Sequence, residues 1–302
     1  MNENLASHQQ VRGERAPSDY APGFRAISWN IDWILRPLFG LGMAIAAIVA
    51  VWALPPKAFA AVLLLLLIPA AREWHRMVAE NKLEPMKLHI LTATTVAAAA
   101  AAIAFMLSGL GLFAPVALCV GVMLAVLVGL EGNPAWQAGG VVYLGLPALC
   151  LVALRSFPDP AQGARIVVGM LFIVWASDTG ALVFGGLIGG PRLAPRLSPG
   201  KTWAGTVGGS ITAAAIYACY VALLGGPMGE AALFAFAFSL VAHGGDLLES
   251  FVKRRFGLKD SGAAIPGHGG ILDRIDSTLA ASVVLALLVF VFHLNPLFWG
   301  HA

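Results

Sequence analysis

Charge is scarce in this 302-residue chain: Asp, Glu, Lys and Arg make up 12% of it, against about a quarter in soluble domains. Hydrophobic residues reach 59% and the mean hydropathy is +0.81, which excludes a soluble globular domain, a disordered chain and a coiled coil. The 19 Lys and Arg against 16 Asp and Glu leave a net charge of only +3, too small for a nucleic-acid binder. Cysteine is also rare. Cys119, Cys150 and Cys219 lie inside apolar runs with no CxxC pair, so a disulfide scaffold is excluded. Only four tyrosines and no alternating ten-residue segments argue against a membrane β-barrel. Internal repeats and a linker to a second soluble domain are absent as well. What remains is an all-α, polytopic integral membrane protein.

A hydrocarbon core about 30 Å thick takes roughly 20 apolar residues of helix. Charge-poor runs cover 37–56, 58–71, 88–130, 132–154, 166–191, 203–229, 231–250 and 277–302. The third is long enough for two spans and is broken by Ser108-Gly109-Leu110-Gly111 and Pro115, so about nine spans are expected, the second of them short. Lys and Arg set the orientation. Arg12, Arg15, Arg25 and Arg36, then Arg72, Arg76, Lys82 and Lys87, then Arg192, Arg196 and Lys201, then Lys253, Arg254, Arg255, Lys259 and Arg274 all fall on one side, the cytoplasm. The other side carries Lys57, Arg155 and Arg165. The N-terminus is therefore expected inside. Ala58-Phe59-Ala60 could end a signal peptide, but a 36-residue polar leader favours an uncleaved span. The expected organisation is a flexible cytoplasmic tail over 1–34, N-terminal membrane helices over 35–160, and a C-terminal catalytic region over 161–302. The stretch 72–87, with Trp74, Met77 and Leu83, reads as an interfacial connector.

Where charge is expensive, its placement is informative. Residues 246–276 hold ten of the 35 charged residues. Asp246, Ser250 and Lys253 lie at i, i+4 and i+7, on one stripe of a helix; Asp273 and Asp276 lie at i and i+3 where the last span begins. Three carboxylates at two helix ends suit Mg²⁺ that keeps waters and shares a nucleotide phosphate. Either acid of the last span alone fits a helix N-terminal cap equally well. Asp178, inside the sixth span, is a second anomaly, functional by default, with a structural partner on another helix as the alternative.

The stretch 189–203 holds three cations and no acid. Gly200-Lys201-Thr202 resembles the end of a P-loop, but Pro195 stands where GxxxxGK[ST] needs Gly and no strand is expected before it. An anion-binding loop leading into a helix at about Ala204 survives, beside a plain positive-inside signal. His268, between glycines, reads as a ligand, an acid or base, or a loop donor. His75, His89, His243 and His293 read as structural.

The run from Ser250 to Asp276, with Gly245-Asp246-Leu247-Leu248-Glu249, Ser198-Pro199-x-Lys201-Thr202-Trp203, Gly208-Gly209 and Asp178-Thr179-Gly180-Ala181, resembles the signature of phosphatidate cytidylyltransferases, the CDP-diacylglycerol synthases. The resemblance covers the C-terminal half. Family members commonly have Lys at the position of Gly200 and Glu at that of Ala204, so weight shifts here to Lys201 and the backbone. The resemblance implies the reaction of CTP with phosphatidate to give CDP-diacylglycerol and pyrophosphate, at the cytoplasmic side of a bacterial inner membrane among membrane lipids. It implies Mg²⁺ at Asp246 and Asp273, with Asp276 and Asp178 supporting and able to hold a second cation such as K⁺, and Lys253 as a phosphate clamp. Ser198, Lys201, Thr202, Ser250, Arg254, His268 and Arg274 are expected to bind substrate. A homodimer with no nucleic-acid partner is expected. The rivals are an ion-coupled transporter or lipid flippase using Asp178 and Asp246, and a CDP-alcohol phosphatidyltransferase, whose DGxxAR signature this sequence lacks.

Overall fold

Proline punctuates the chain, and five helices begin with it in their first two positions, where its missing N–H costs nothing. A computed structural model describes residues 32–80, 82–262 and 269–297, with side chains from residue 40 onward. The described residues form nine α-helices and one hairpin: α1 Asp32–Ala53, α2 Pro56–Ala79, α3 Pro85–Leu107, α4 Ala114–Val128, α5 Pro134–Ser156, α6 Pro160–Ile188, β1 Arg192–Ala194, β2 Ser198–Thr202, α7 Trp203–Leu223, α8 Met228–Arg255 and α9 Leu272–Phe290. A 3₁₀ turn at Gly111–Phe113 runs into α4. Seven segments are long and apolar enough to cross a membrane: α2, α3, the turn with α4, α5, α6, α7 and α8. The break expected near Ser108 is there, between α3 and α4.

The all-α membrane class agrees with this architecture, and two details depart from the sequence reading. An antiparallel hairpin, pairing Arg192 with Thr202 and Ala194 with Ser198, precedes α7, so a strand does stand before Lys201. The connector expected over 72–87 is not a surface element in its first half. Helix α2 continues through Ala79, and Trp74, Met77 and Leu83 are all buried.

Helix α5 sits centrally, packed on α2, α3, α4, α6 and α9, while α6, α7 and α8 follow one another as close neighbours. Hydrocarbon is as apolar as leucine, so helices in it associate through shape and close backbone approach. The α6–α7 seam is built that way. A Cβ at Gly209 would stand 2.4 Å from the Ser177 carbonyl oxygen, and one at Gly208 would stand 2.4 Å from the Phe184 Cβ.

Several polar groups inside the bundle are paired across helices. His75 on α2 bonds Gln137 of α5 at 2.6 Å and Thr95 of α3 at 2.8 Å, in keeping with a structural role. Arg155, expected as a loop cation, is 3% exposed. Its guanidinium donates to the carbonyls of Val51 at 2.6 Å and Leu54 at 2.8 Å, at the C-terminal end of α1, and to that of Pro160 at 2.6 Å. It satisfies orphan helix-end carbonyls and complements the dipole there. Arg155→Met is expected to destabilise the fold by about 3 kcal/mol, read as a lowered unfolding midpoint in detergent, with turnover per folded molecule kept. An unchanged midpoint would contradict this account.

Candidate active site

The hairpin sets the first half of the site. Thr202 ends β2 and its Oγ1 accepts from the Gly205 N–H at 3.0 Å, capping α7. That cap fixes the residue before it, Lys201, whose ammonium forms an ion pair with Asp246 of α8. Asp246 also accepts from Ser250 Oγ one turn on, at 3.3 Å. Thr202 and Ser250, expected to bind substrate, thus spend their hydroxyls on a helix cap and on Asp246. Arg254 ties the hairpin to the end of α8, donating to the carbonyls of Leu197 at 3.2 Å and Leu258 at 3.0 Å.

Helix α9 supplies the second half. Asp273 accepts from Lys253 Nζ at 2.7 Å, from the Gly270 N–H at 3.0 Å and from the Ser261 N–H at 3.1 Å. Lys253 also reaches Glu249 at 3.2 Å. Glu249 is fully buried beside Lys253; Asp276 accepts from the Ser277 N–H at 2.7 Å. Gly245 permits this convergence, because a Cβ there would stand 2.7 Å from the Ala280 Cβ and 3.0 Å from the Asp276 carbonyl oxygen. Without that close contact of α8 and α9, Asp246 and Asp276 would stand further apart.

Asp178 joins the cluster electrostatically, its carboxyl acted on by the charges of Asp276, Lys201 and Asp246. It lies on α6, eighteen residues after Pro160 and ten before Ile188. Asp246 likewise lies eighteen residues after Met228 in α8, so the two acids take the same position along two helices joined through α7.

The structure therefore brings together Asp178, Lys201, Asp246, Ser250, Lys253, Asp273 and Asp276. Ser198 and Arg274 sit at the edge, in β2 and in the first turn of α9, and His268 falls outside the described residues. Among the described residues no three of His, Cys, Asp and Glu stand ready to hold a metal ion. The expected metal set is not preassembled, since Asp273 is taken by three donors and Asp246 by Lys201 and Ser250.

Sequence reasoning missed several residues here. Glu249, seen in the signature, was not assigned to the site. Tyr143 of α5 stacks on Trp74 with ring centroids 4.7 Å apart and lies within reach of the charges of Glu249, Asp276 and Asp246. His243, one helical turn before Asp246, feels Lys201 and Asp246. Tyr143 Oη, His243 Nε2 and Glu249 Oε1 are buried without a hydrogen-bond partner among the described residues. Glu73 of α2, in the supposed connector, accepts from Ser261 Oγ and from the N–H groups of Ile271 and Leu272.

Comparison with known proteins matches this architecture to one family. The profile of the Cytidylyltransferase family covers residues 34–292. A protein of Brucella suis biovar 1 (strain 1330), named phosphatidate cytidylyltransferase, is 42% identical over 163 residues, which is 54% of this chain and 60% of the relative. Proteins of the same name from Pseudomonas aeruginosa and Haemophilus influenzae are 40% identical over 169 residues and 42% identical over 129 residues. The former match takes 52% of this chain and 54% of the relative, the latter 41% and 45%. The chain thus spans 60% of the length of the Brucella relative it matches. With the family profile running over most of its length, the chain belongs to the cytidylyltransferase family.

Proposed function

We propose that this chain transfers the cytidylyl group of CTP to phosphatidate, giving CDP-diacylglycerol and pyrophosphate. The observation that carries the reading is the paired arrangement of two ammonium groups, Lys201 of β2 on Asp246 of α8 and Lys253 of α8 on Asp273 of α9. Both reactants are anionic, so the protein must offset their repulsion and hold them in line. A phosphate oxygen of phosphatidate attacks the α-phosphorus of CTP, and the bond from that phosphorus to the β-phosphate oxygen breaks. The attacking monoester is largely ionised at neutral pH, so no side chain has to remove a proton. Lys201 and Lys253 are held in place by carboxylates before substrate arrives, ready to share their donors with phosphate oxygens.

The donor set fits Mg²⁺. Asp178, Asp246, Glu249, Asp273 and Asp276 outnumber the two ammoniums, their oxygens are hard ligands, and Glu249 Oε1 is buried with no partner. No three of them stand grouped for an ion among the described residues, so Asp246, with Asp276 and Asp178 supporting, would hold it together with phosphate oxygens of CTP, whose charge it would neutralise. A second cation such as K⁺ suits the surplus of carboxylates. Taking α1 and α9 as spans beside the seven other segments gives nine, with the Lys and Arg clusters and the site on the cytoplasmic side of a bacterial inner membrane.

CTP labelled at its α-phosphate, given to purified protein with phosphatidate, is expected to yield chloroform-soluble label that depends on phosphatidate and on Mg²⁺. One pyrophosphate should appear per labelled lipid. Absence of labelled lipid overturns the reading.

A further inference from the structure

Helix α9 carries Asp273 and Asp276 into the site, yet it begins on Ile271, which has no side chain able to cap it. The first N–H groups of a helix need acceptors when buried, and here the acceptor comes from the other half of the chain. Glu73, 8% exposed, accepts from the N–H of Ile271 at 3.1 Å through Oε1 and from that of Leu272 at 2.9 Å through Oε2. The same carboxylate accepts from Ser261 Oγ at 3.2 Å, on the α8 side of the signature.

Two glycines let the backbone come this close. A Cβ at Gly262 would stand 2.6 Å from Glu73 Oε1, and one at Gly270 would stand 2.7 Å from Glu73 Oε2. Glu73 is therefore wrapped by both flanks of the signature, 261–262 and 270–272. The partners it holds adjoin those of Asp273: Ser261 gives its hydroxyl to Glu73 and its N–H to Asp273, and Gly270 gives its N–H to Asp273. A negative charge at a helix N-terminus is also favoured by the dipole.

We infer that Glu73 is a positioning residue for the cytidylyl transfer: it clasps the two flanks of the signature and fixes the start of α9, and so sets where Asp273 holds Lys253. The inference rests on the proposed activity for its kinetic consequence, while the clasp itself stands on the hydrogen bonds alone. The hydrogen bonds of Glu73 go to Ser261, Ile271 and Leu272. Its effect is transmitted through Asp273 and Lys253, so it should act on turnover more than on nucleotide affinity.

The test uses full-length Glu73→Gln, which keeps shape but turns an amide N–H toward donors, with Glu73→Asp, which keeps both oxygens on a shorter stem, and Ser261→Ala. Glu73→Gln is expected to lower kcat by about 100-fold, the scale set by a displacement of about 1 Å at reacting groups, with KM for CTP changed by less than about threefold. Glu73→Asp should recover part of the rate and Ser261→Ala should show a smaller loss of the same kind. Hydrogen exchange read by mass spectrometry should quicken at 270–272 in Glu73→Gln while the neighbourhood of His75, Thr95 and Gln137 stays protected. A rate within about twofold of the parent or unchanged exchange at 270–272 overturns the inference. Loss of protection throughout α2, α3 and α5 in all three variants also overturns it, because Glu73 would then be a general prop of the fold. If the parent protein makes no CDP-diacylglycerol, the proposed activity fails, and the exchange measurement alone decides the clasp.

Discussion

Asp246→Asn is expected to reduce the rate of CDP-diacylglycerol formation by about 10³-fold, the upper range for loss of one preorganised electrostatic group. Asp246 is the partner of Lys201, a neighbour of Asp178 and Asp276 in charge, and the acceptor for Ser250. The amide removes the negative charge while keeping volume, so the loss reports electrostatics and not packing. Part of it could come merely from leaving Lys201 without its counter-ion, and a double-mutant cycle separates that share. If Asp246 served only to neutralise Lys201, adding Lys201→Met to Asp246→Asn would restore activity. With both groups acting on phosphates, the double variant is expected to be no faster than Asp246→Asn alone. Recovery to within about tenfold of the parent would sink the assigned roles.

Gly209→Val is expected to abolish recovery of folded protein. The Cβ alone would stand 2.4 Å from a backbone oxygen, that of Ser177, and 3.1 Å from the Ala181 N. No flexible side chain is there to yield, so α6 and α7 must part along their whole contact. Gly209→Ala should cost about 3 kcal/mol, at the upper end for overpacking, and should also slow the reaction because Ser177 immediately precedes Asp178. Gly186, on α6, is the control, since a Cβ there meets nothing within 4 Å. Gly186→Ala is expected to leave yield and unfolding midpoint unchanged or slightly raised, alanine being the better helix former. Size-exclusion profiles and thermal midpoints in detergent read both. Equal behaviour of the two alanine variants would contradict the seam.

Much of the site was legible because charge is conspicuous in an apolar sequence. Asp178, Asp246, Lys253, Asp273 and Asp276 stand out as exceptions, and helical spacing places Asp246 and Lys253 on one stripe. What spacing could not supply is pairing across distance. Lys201 and Asp246 are joined only once the hairpin folds back and α7 returns the chain, and the hairpin, with Pro195, Pro199 and Gly200, carries little strand propensity. Glu73 was hidden differently. Set between Ala71-Arg72 and Trp74-His75-Arg76, it resembles one charge among several at a membrane surface. A signal was present all the same: the apolar run 58–71 is too short to cross hydrocarbon, so α2 had to continue through residue 73 and carry that carboxylate into the bundle. Arg155 was misplaced for the related reason that sequence does not show which helix-end carbonyls lack partners.

The matched positions of Asp178 and Asp246 bear on where a lipid would meet the protein. Eighteen residues of helix rise about 27 Å, close to the roughly 30 Å of a hydrocarbon layer. With α6 and α8 entering the hydrocarbon near their first residues, as the proposed reading has it, both carboxylates arrive where acyl chains give way to headgroups. On the proposed reading, a phosphatidate molecule keeps its tails in its own leaflet throughout the reaction and its phosphate never crosses oil. The soluble nucleotide makes the approach from water, and the product is released already seated in the monolayer that will use it.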